Sequence, residues 1–250
     1  MKFTDLDLDE SVIAGLNDVQ YTEATPIQEK SIPEALKGRD VLGAAKTGSG
    51  KTGAFVRPIL DQIIKNPSEG VKALIISPTR ELATQIDEQI FALGYHTGVG
   101  SATIIGGEDF GKQADSIRSG VDIIVATPGR LMDQMRVMNI DFSNLRYLVL
   151  DEADRMLDMG FLPDIKHILS KLPDKRQNLL FSATIPDEIQ SLIDKIMNNP
   201  VKIEIEKSKA ADSVKQEVYF VPNYQKLELI EHILQTYTWS SCIVFSSTTR

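Results

Sequence analysis

The stretch Val41-Leu42-Gly43-Ala44-Ala45-Lys46-Thr47-Gly48-Ser49-Gly50-Lys51-Thr52 runs from a short apolar segment into a glycine-rich loop that closes on Lys-Thr. That order predicts a strand, a phosphate-binding loop and a helix start, because the glycines let consecutive backbone N–H groups turn inward around a phosphate while the helix N-terminus adds its dipole. Lys51 is the candidate for neutralising the outer phosphates, and Thr52 for reaching a magnesium ion. Ala45 opens the loop where the general pattern has glycine. Roughly a hundred residues on, Asp151-Glu152-Ala153-Asp154 follows the apolar run Tyr147-Leu148-Val149-Leu150. A carboxylate at a strand end can hold magnesium while its neighbour polarises an attacking water. Alone, these acids also read as a first-turn cluster offsetting a helix dipole.

Outward from these motifs, apolar runs recur at Ala73-Leu74-Ile75-Ile76, Ala102-Thr103-Ile104-Ile105, Asp122-Ile123-Ile124-Val125-Ala126 and Asn178-Leu179-Leu180-Phe181. Continuous rather than alternating hydrophobicity is what a sheet covered on both faces requires, so all of these are expected as central parallel strands. The segments between them are long enough for crossover helices. Residues 79–93 carry Leu82, Ile86, Ile90 and Leu93 on one helical stripe, and residues 186–197 carry Ile189, Leu192, Ile193 and Ile196. The expectation is an α/β fold, a mostly parallel sheet with helices on both faces, with its ligand edge at the carboxyl ends of the strands. The loop, Asp151 and Ser182 all fall on that edge.

The 250 residues suggest one domain plus a fragment, and the 42% hydrophobic and 25% charged content suits a soluble globular chain. Net charge is −8, which argues against nucleic-acid binding through bulk positive charge and leaves only a local groove. The single cysteine, Cys242, lies in the apolar run Cys242-Ile243-Val244-Phe245 and is expected as a small core residue. His96, His167 and His232 are dispersed, which gives no pattern for a structural metal site. No apolar run approaches the ~18 residues of a membrane span, and the acidic start Met1-Lys2-Phe3-Thr4-Asp5 does not read as a secretory signal; a cytoplasmic location is expected. The polar run from Glu206 to Asp212 is the linker candidate. It separates residues 1–207 from residues 213–250, with the linker itself placed at 208–212. Beyond it, a strand over residues 217–221, a helix over 225–237 and a strand over 243–245 are expected as the opening of a second α/β unit. Lys171-Leu172-Pro173-Asp174-Lys175-Arg176 reads as a solvated loop.

With the loop and the acidic motif in place, further segments resemble those of the DEAD-box ATP-dependent RNA helicases, and within them the bacterial RhlE-like group. Tyr21-Thr22-Glu23-Ala24-Thr25-Pro26-Ile27-Gln28 resembles that family's adenine-recognition segment, with Gln20 and Ala24 standing where glycine and proline are usual. Pro78-Thr79-Arg80-Glu81-Leu82-Ala83, Gly106-Gly107 and Thr127-Pro128-Gly129-Arg130 resemble its RNA-contacting motifs. Ser182-Ala183-Thr184 resembles its coupling motif, and the run from Ile243 to Arg250 the opening motif of its second core domain. Read singly, Thr25-Pro26 is a helix start, Thr-Pro-Gly a turn, and Ser/Thr a turn cap.

The resemblance implies a RecA-like P-loop NTPase fold, and ATP hydrolysis coupled to local RNA duplex unwinding. It implies Tyr21 and Gln28 at adenine; Ala45, Lys46, Thr47, Gly48, Ser49, Gly50, Lys51 and Thr52 around the phosphates; and Thr52 and Asp151 at Mg2+. Glu152 would act on the attacking water, and Asp154, Ser182 and Thr184 would couple. Thr79, Arg80, Gly107, Thr127, Gly129 and Arg130 would contact the RNA backbone without reading sequence; protein partners are not indicated. Lys46 stands where many relatives carry glutamine. The family's later motifs, including arginines for the γ-phosphate, have no counterpart in these 250 residues, and because losing such an arginine costs ~10³–10⁵ in rate, weak turnover is expected. The alternatives are a nucleotide-binding interaction fragment without turnover and a DNA-directed motor of superfamily 2.

Overall fold

The computed structural model describes residues 1–205, 215 and 217–246. The chain divides into two compact units, residues 1–207 and 208–250.

In the first unit, seven strands form one sheet in the order β3-β4-β2-β5-β6-β1-β7: β1 (Val41–Ala44), β2 (Ala73–Ile76), β3 (Ser101–Ile104), β4 (Ile123–Ala126), β5 (Tyr147–Asp151), β6 (Gln177–Ser182) and β7 (Val201–Glu204). Every pair is parallel. Side chains alternate between the faces, so the apolar strands feed two separate cores. Val41, Ile75, Val149, Leu179 and Phe181 pack on one face under α1 (Glu10–Asp18), α2 (Pro26–Leu36), α3 (Lys51–Lys65) and α4 (Arg80–Gly94). Leu42, Leu74, Ile76, Leu148 and Leu180 pack on the other, under α6 (Pro128–Val137), α7 (Ala153–Asp158), α8 (Leu162–Leu169) and α9 (Asp187–Ile196); α5 (Phe110–Arg118) adds Ile117 there.

One expected central strand is corrected. β3 is an edge strand, paired only with β4, and its residues alternate between buried and half-buried, because an edge lacks a neighbour and a full cover of helices. The 171–176 run is also less solvated than expected: Arg176 is half-buried, donating from Nε to Asn178 Oδ1 (3.0 Å) and from Nη1 to the Pro173 carbonyl.

In the second unit, α10 (Lys226–Thr236) forms where a helix is expected. The two strands expected at 217–221 and 243–245 do not form: a strand exists only as one rung of a hydrogen-bonded ladder, and neither segment has one among the described residues. Cys242 is exposed rather than buried, since none of this unit's described residues is buried and there is no core for it to join. The linker at 208–212 and Ser247 to Arg250 of the terminal motif lie outside the described residues. Among the described residues, no helix is long and apolar enough to cross a membrane.

Candidate nucleotide and RNA site

The strand order places β1, β6 and β5 side by side, so their carboxyl ends present the glycine loop, Ser182 and Asp151 in a row. Ala44 pairs with Ser182 and Phe181 with Asp151. At the loop, Gly48 (φ 79°) and Gly50 (φ 90°) adopt left-handed conformations that glycine alone takes cheaply. Ala45 is buried, and its N–H donates to the Ser182 carbonyl at 3.0 Å, stitching loop to β6. Lys46, Thr47 and Gly48 are exposed at the crest, Ser49 and Thr52 half-buried behind it. Lys51 starts α3, is 6% exposed, and donates from Nζ to the Ala45 carbonyl at 3.0 Å, folded across the loop's own concavity.

Asp151 and Glu152 are both buried. Burial pushes the Asp151 carboxyl up to about 7, against the pull of Lys51 and with the push of the Glu152 charge behind it. No cation lies within ion-pair distance of Asp151 among the described residues. A carboxylate held that way suits a divalent ion shared with a phosphate, and among the described residues no three His, Cys, Asp or Glu cluster to hold a metal unaided. Glu152 takes a left-handed backbone (φ 50°, ψ 53°), unusual for a residue with a side chain, and its Oε2 accepts from Arg155 Nη1 at 3.2 Å. Asp154 begins the next layer: its N–H donates to Ser182 Oγ (3.1 Å), while Thr184 donates to its Oδ2 from both backbone N and Oγ1 (2.8 Å each). Burial opposes ionisation of Asp154, but the Ser182 and Thr184 donors outweigh it and hold the carboxyl below its usual range.

A cleft of about 500 Å³ opens beside the loop, lined by Tyr21, Thr25, Gln28, Thr47, Gly48, Gly50, Lys51, Thr52 and the α4 residues Leu82, Gln85 and Gln89. Tyr21 is 47% exposed and offers a ring face, whereas Gln28 is buried. Gln28 Oε1 accepts from Thr25 N (3.1 Å) and its Nε2 donates to the Gly50 carbonyl (2.9 Å), which ties the adenine-type segment directly to the phosphate loop. Gln20, standing where the family has glycine, sits at φ 57°. Sequence reading missed Arg57, which lines this cleft, and the buried Phe3 against it: the Arg57 guanidinium lies 4.3 Å from the Phe3 ring centroid and 5.6 Å from that of Tyr21. The available signal was an arginine inside the apolar run Ala54-Phe55-Val56-Arg57-Pro58-Ile59-Leu60.

The three RNA-type motifs converge on a second cavity of about 440 Å³ lined by Thr79, Arg80, Gly106, Thr127, Gly129 and Arg130, with Met159 and Phe161. Their availability differs. Arg80 lies across Gly107, where any Cβ would fall 2.2 Å from Nη1. Thr79 caps α4, its Oγ1 accepting from Leu82 N at 3.3 Å. Thr127 is buried, and Arg130 is braced internally, with Nε on Gln113 Oε1 (3.0 Å), Nη2 on the Glu108 carbonyl and its plane over Phe110.

Comparison with known proteins places this geometry. The chain is 43% identical over 249 residues to the DEAD-box ATP-dependent RNA helicase RhpA of Helicobacter pylori (strain B128), covering 99% of this chain and 50% of that protein. It is 41% identical over 251 residues to the ATP-dependent RNA helicase CshA of Listeria monocytogenes, covering 100% and 48%. It thus spans about half the length of these curated relatives. Among solved structures, a DEAD box protein from the hyperthermophile Methanococcus jannaschii matches with TM-score 0.78 and 33% identity over 94% of this chain and 64% of that one. A hypothetical ATP-dependent RNA helicase from Sulfolobus tokodaii matches with TM-score 0.73 and 38% identity over 79% and 57%. The DEAD/DEAH box helicase family model matches residues 25–192, from the adenine-type segment through β6 into α9, and the chain belongs to that family.

Proposed function

We propose that this chain binds ATP and single-stranded RNA and couples ATP hydrolysis to local unwinding of RNA duplexes. The observation that carries the reading is the meeting, at the ends of three adjacent strands, of a lysine-bearing phosphate loop, a buried carboxylate pair and the Ser182–Asp154–Thr184 hydrogen bonds. Tyr21 stacks on adenine and Gln28 bonds its edge. Lys51, with the N–H groups from Ala45 to Thr52, holds the phosphates. Thr52 and Asp151 would hold Mg2+, which when bound would neutralise charge developing on the transferred phosphoryl group. Glu152, fixed by Arg155 and a left-handed backbone, orients and deprotonates the attacking water.

Asp154 joins this centre to Ser182 and Thr184, so a change at the phosphates reaches the end of β6. Thr79, Arg80, Gly107, Thr127, Gly129 and Arg130 face the RNA backbone, a local grip that an acidic chain can sustain without a basic surface. We assign residues 1–207 to the ATP-binding core domain and residues 213–250, past a linker at 208–212, to the opening of a second one; the support is the resemblance of the run from Ile243 to Arg250. With ATP and RNA as substrates, the cytoplasm is its place of work.

The test is ATP hydrolysis with and without single-stranded RNA, beside Glu152→Gln and with single-stranded DNA as competitor. Weak RNA-stimulated turnover, lost in Glu152→Gln, is the expected result. ATP binding that disappears in Lys51→Ala, without turnover in the parent, would leave a nucleotide-binding module, and stimulation by DNA alone would redirect the reading to a DNA motor.

A further inference from the structure

Among the described residues, Arg57 is the largest fully buried side chain, 2% exposed, and no carboxylate pairs with it. Its Nε and Nη1 are buried without a hydrogen-bond partner among the described residues. A carboxylate is near in sequence: Asp61 lies one helical turn further along α3. Asp61 is instead satisfied elsewhere, its Oδ1 accepting from Asp9 N (2.7 Å) and from Lys65 Nζ (3.1 Å). The guanidinium turns the other way, into the wall of the nucleotide cleft with Tyr21, Gln28 and Gly53. Gly53 makes that placement possible, because a Cβ there would fall 1.9 Å from Arg57 Nη1 and 2.8 Å from Gln28 Nε2. Two side-chain donors therefore crowd one notch at the Tyr21 end of the cleft. Gln28 Nε2 spends one hydrogen on Gly50, leaving its other free.

A guanidinium carries donors only, and one left buried without an acceptor is costly. Desolvation accordingly lowers its pKa to about 10. The faces of Phe3 and Tyr21 offset part of that cost but leave the in-plane N–H groups unmet. What the notch lacks is an in-plane acceptor beside an aromatic face, which is the chemistry of a purine ring nitrogen on a base stacked against Tyr21. Resting on the nucleotide-binding reading above, we propose that Arg57 reads the base, donating from Nε or Nη1 to a ring acceptor of the bound purine, and so sets affinity at the base end of the cleft.

The test is calorimetric titration of the full chain with Mg-ATP and with ribose 5-triphosphate, the same ligand without its base. Arg57→Met should weaken ATP about 10-fold, the worth of a hydrogen bond to a charged group, and leave the baseless probe unchanged; Arg57→Lys should recover part of the loss. Unchanged ATP affinity in Arg57→Met overturns the proposal. So does equal weakening of both probes, which would make Arg57 a packing residue. Should melting show that Arg57→Met does not fold, Arg57→Lys decides, since it keeps the charge but lacks the planar Nε and Nη1 donors, and a smaller base-selective loss is expected. A parent chain that binds neither probe, or binding that survives Lys51→Ala, refutes the nucleotide cleft itself and the inference with it.

Discussion

Gly50→Ala perturbs the point where Gln28 of the adenine-type segment bonds the phosphate loop. At φ 90° an alanine pays the left-handed penalty of about 1–2 kcal/mol. Its Cβ would also fall 2.6 Å from Gln28 Nε2 and 2.8 Å from Thr25 Oγ1, which forces Gln28 away and breaks its bond to the Gly50 carbonyl, worth about 0.5–1.5 kcal/mol. The sum is about 1.5–3.5 kcal/mol. For a unit of this size, at roughly 2–4 °C per kcal/mol, the first unit's melting transition should fall by about 3–14 °C. Gly48 and Gly38 supply the controls: both have positive φ (79° and 77°) and nothing within 4 Å of a built Cβ. Their alanine variants should lose only the backbone component of about 1–2 kcal/mol. Thermal unfolding followed by circular dichroism, with ATP titration alongside, reads the difference. Equal melting shifts in all three variants would refute the claim that Gly50 is held by its contact with Gln28.

Gln20→Gly should stabilise the chain by roughly 0.5–1 kcal/mol, because the native φ of 57° is one that glycine takes freely; denaturant melts that show a loss would refute it. Burial raises the Asp87 carboxyl above its ordinary 3.8, against a bond from Ser101 Oγ at 2.6 Å. The folded state therefore binds the proton more tightly, and Asp87 costs stability increasingly as pH rises from 3.8 through the folded pKa. Asp87→Asn should be more stable than the parent at pH 7 and lose that advantage as pH falls below 3.8; a pH-independent difference sinks the reasoning. Phe181→Ala removes a wholly buried ring packed on Phe55 at 5.4 Å and should cost about 3–5 kcal/mol by chemical denaturation.

The sheet and the strand, glycine loop and helix start of residues 41–65 are legible in the sequence because two strong local signals coincide. Uninterrupted apolar runs report strands covered on both faces, and a glycine loop must follow a strand and open a helix. Edge and context effects were not legible. Ala102 to Ile105 looks as apolar as a central strand, yet only the strand order shows that β3 has one neighbour. Thr79 caps α4 and Arg130 is braced on Gln113 beside the RNA roles their motifs imply, and the bracing, across 17 residues of sequence, is not visible in the motif. Arg57 was passed over because periodicity treats a charged residue in an apolar run as a surface interruption. Whether it points out or in depends on Gly53 four residues earlier and on Asp61 being engaged by Lys65. Beyond residue 215, hydrophobic patterning alone predicted strands, but pairing needs a partner that pattern cannot supply.

The site collects features that folding alone would disfavour. Among the described residues, Asp151 is a carboxylate buried without an ion-pair partner, Glu152 a side-chain-bearing residue in a left-handed conformation, Arg57 a guanidinium with two unmet nitrogens, and Ser49 a buried hydroxyl without a partner. They lie at one edge of a sheet whose two faces are otherwise packed with apolar side chains, so the cores offset what the edge costs. The unmet groups are of both signs, and a magnesium nucleotide presents both: a cation for Asp151, phosphate oxygens and ring nitrogens for the donors. A ligand that satisfies such groups binds the folded state alone, and at a concentration of 100 Kd it stabilises that state by about 2.7 kcal/mol. On the proposed function, binding and rigidity at this edge are one property: the free protein retains strain that a bound nucleotide would remove.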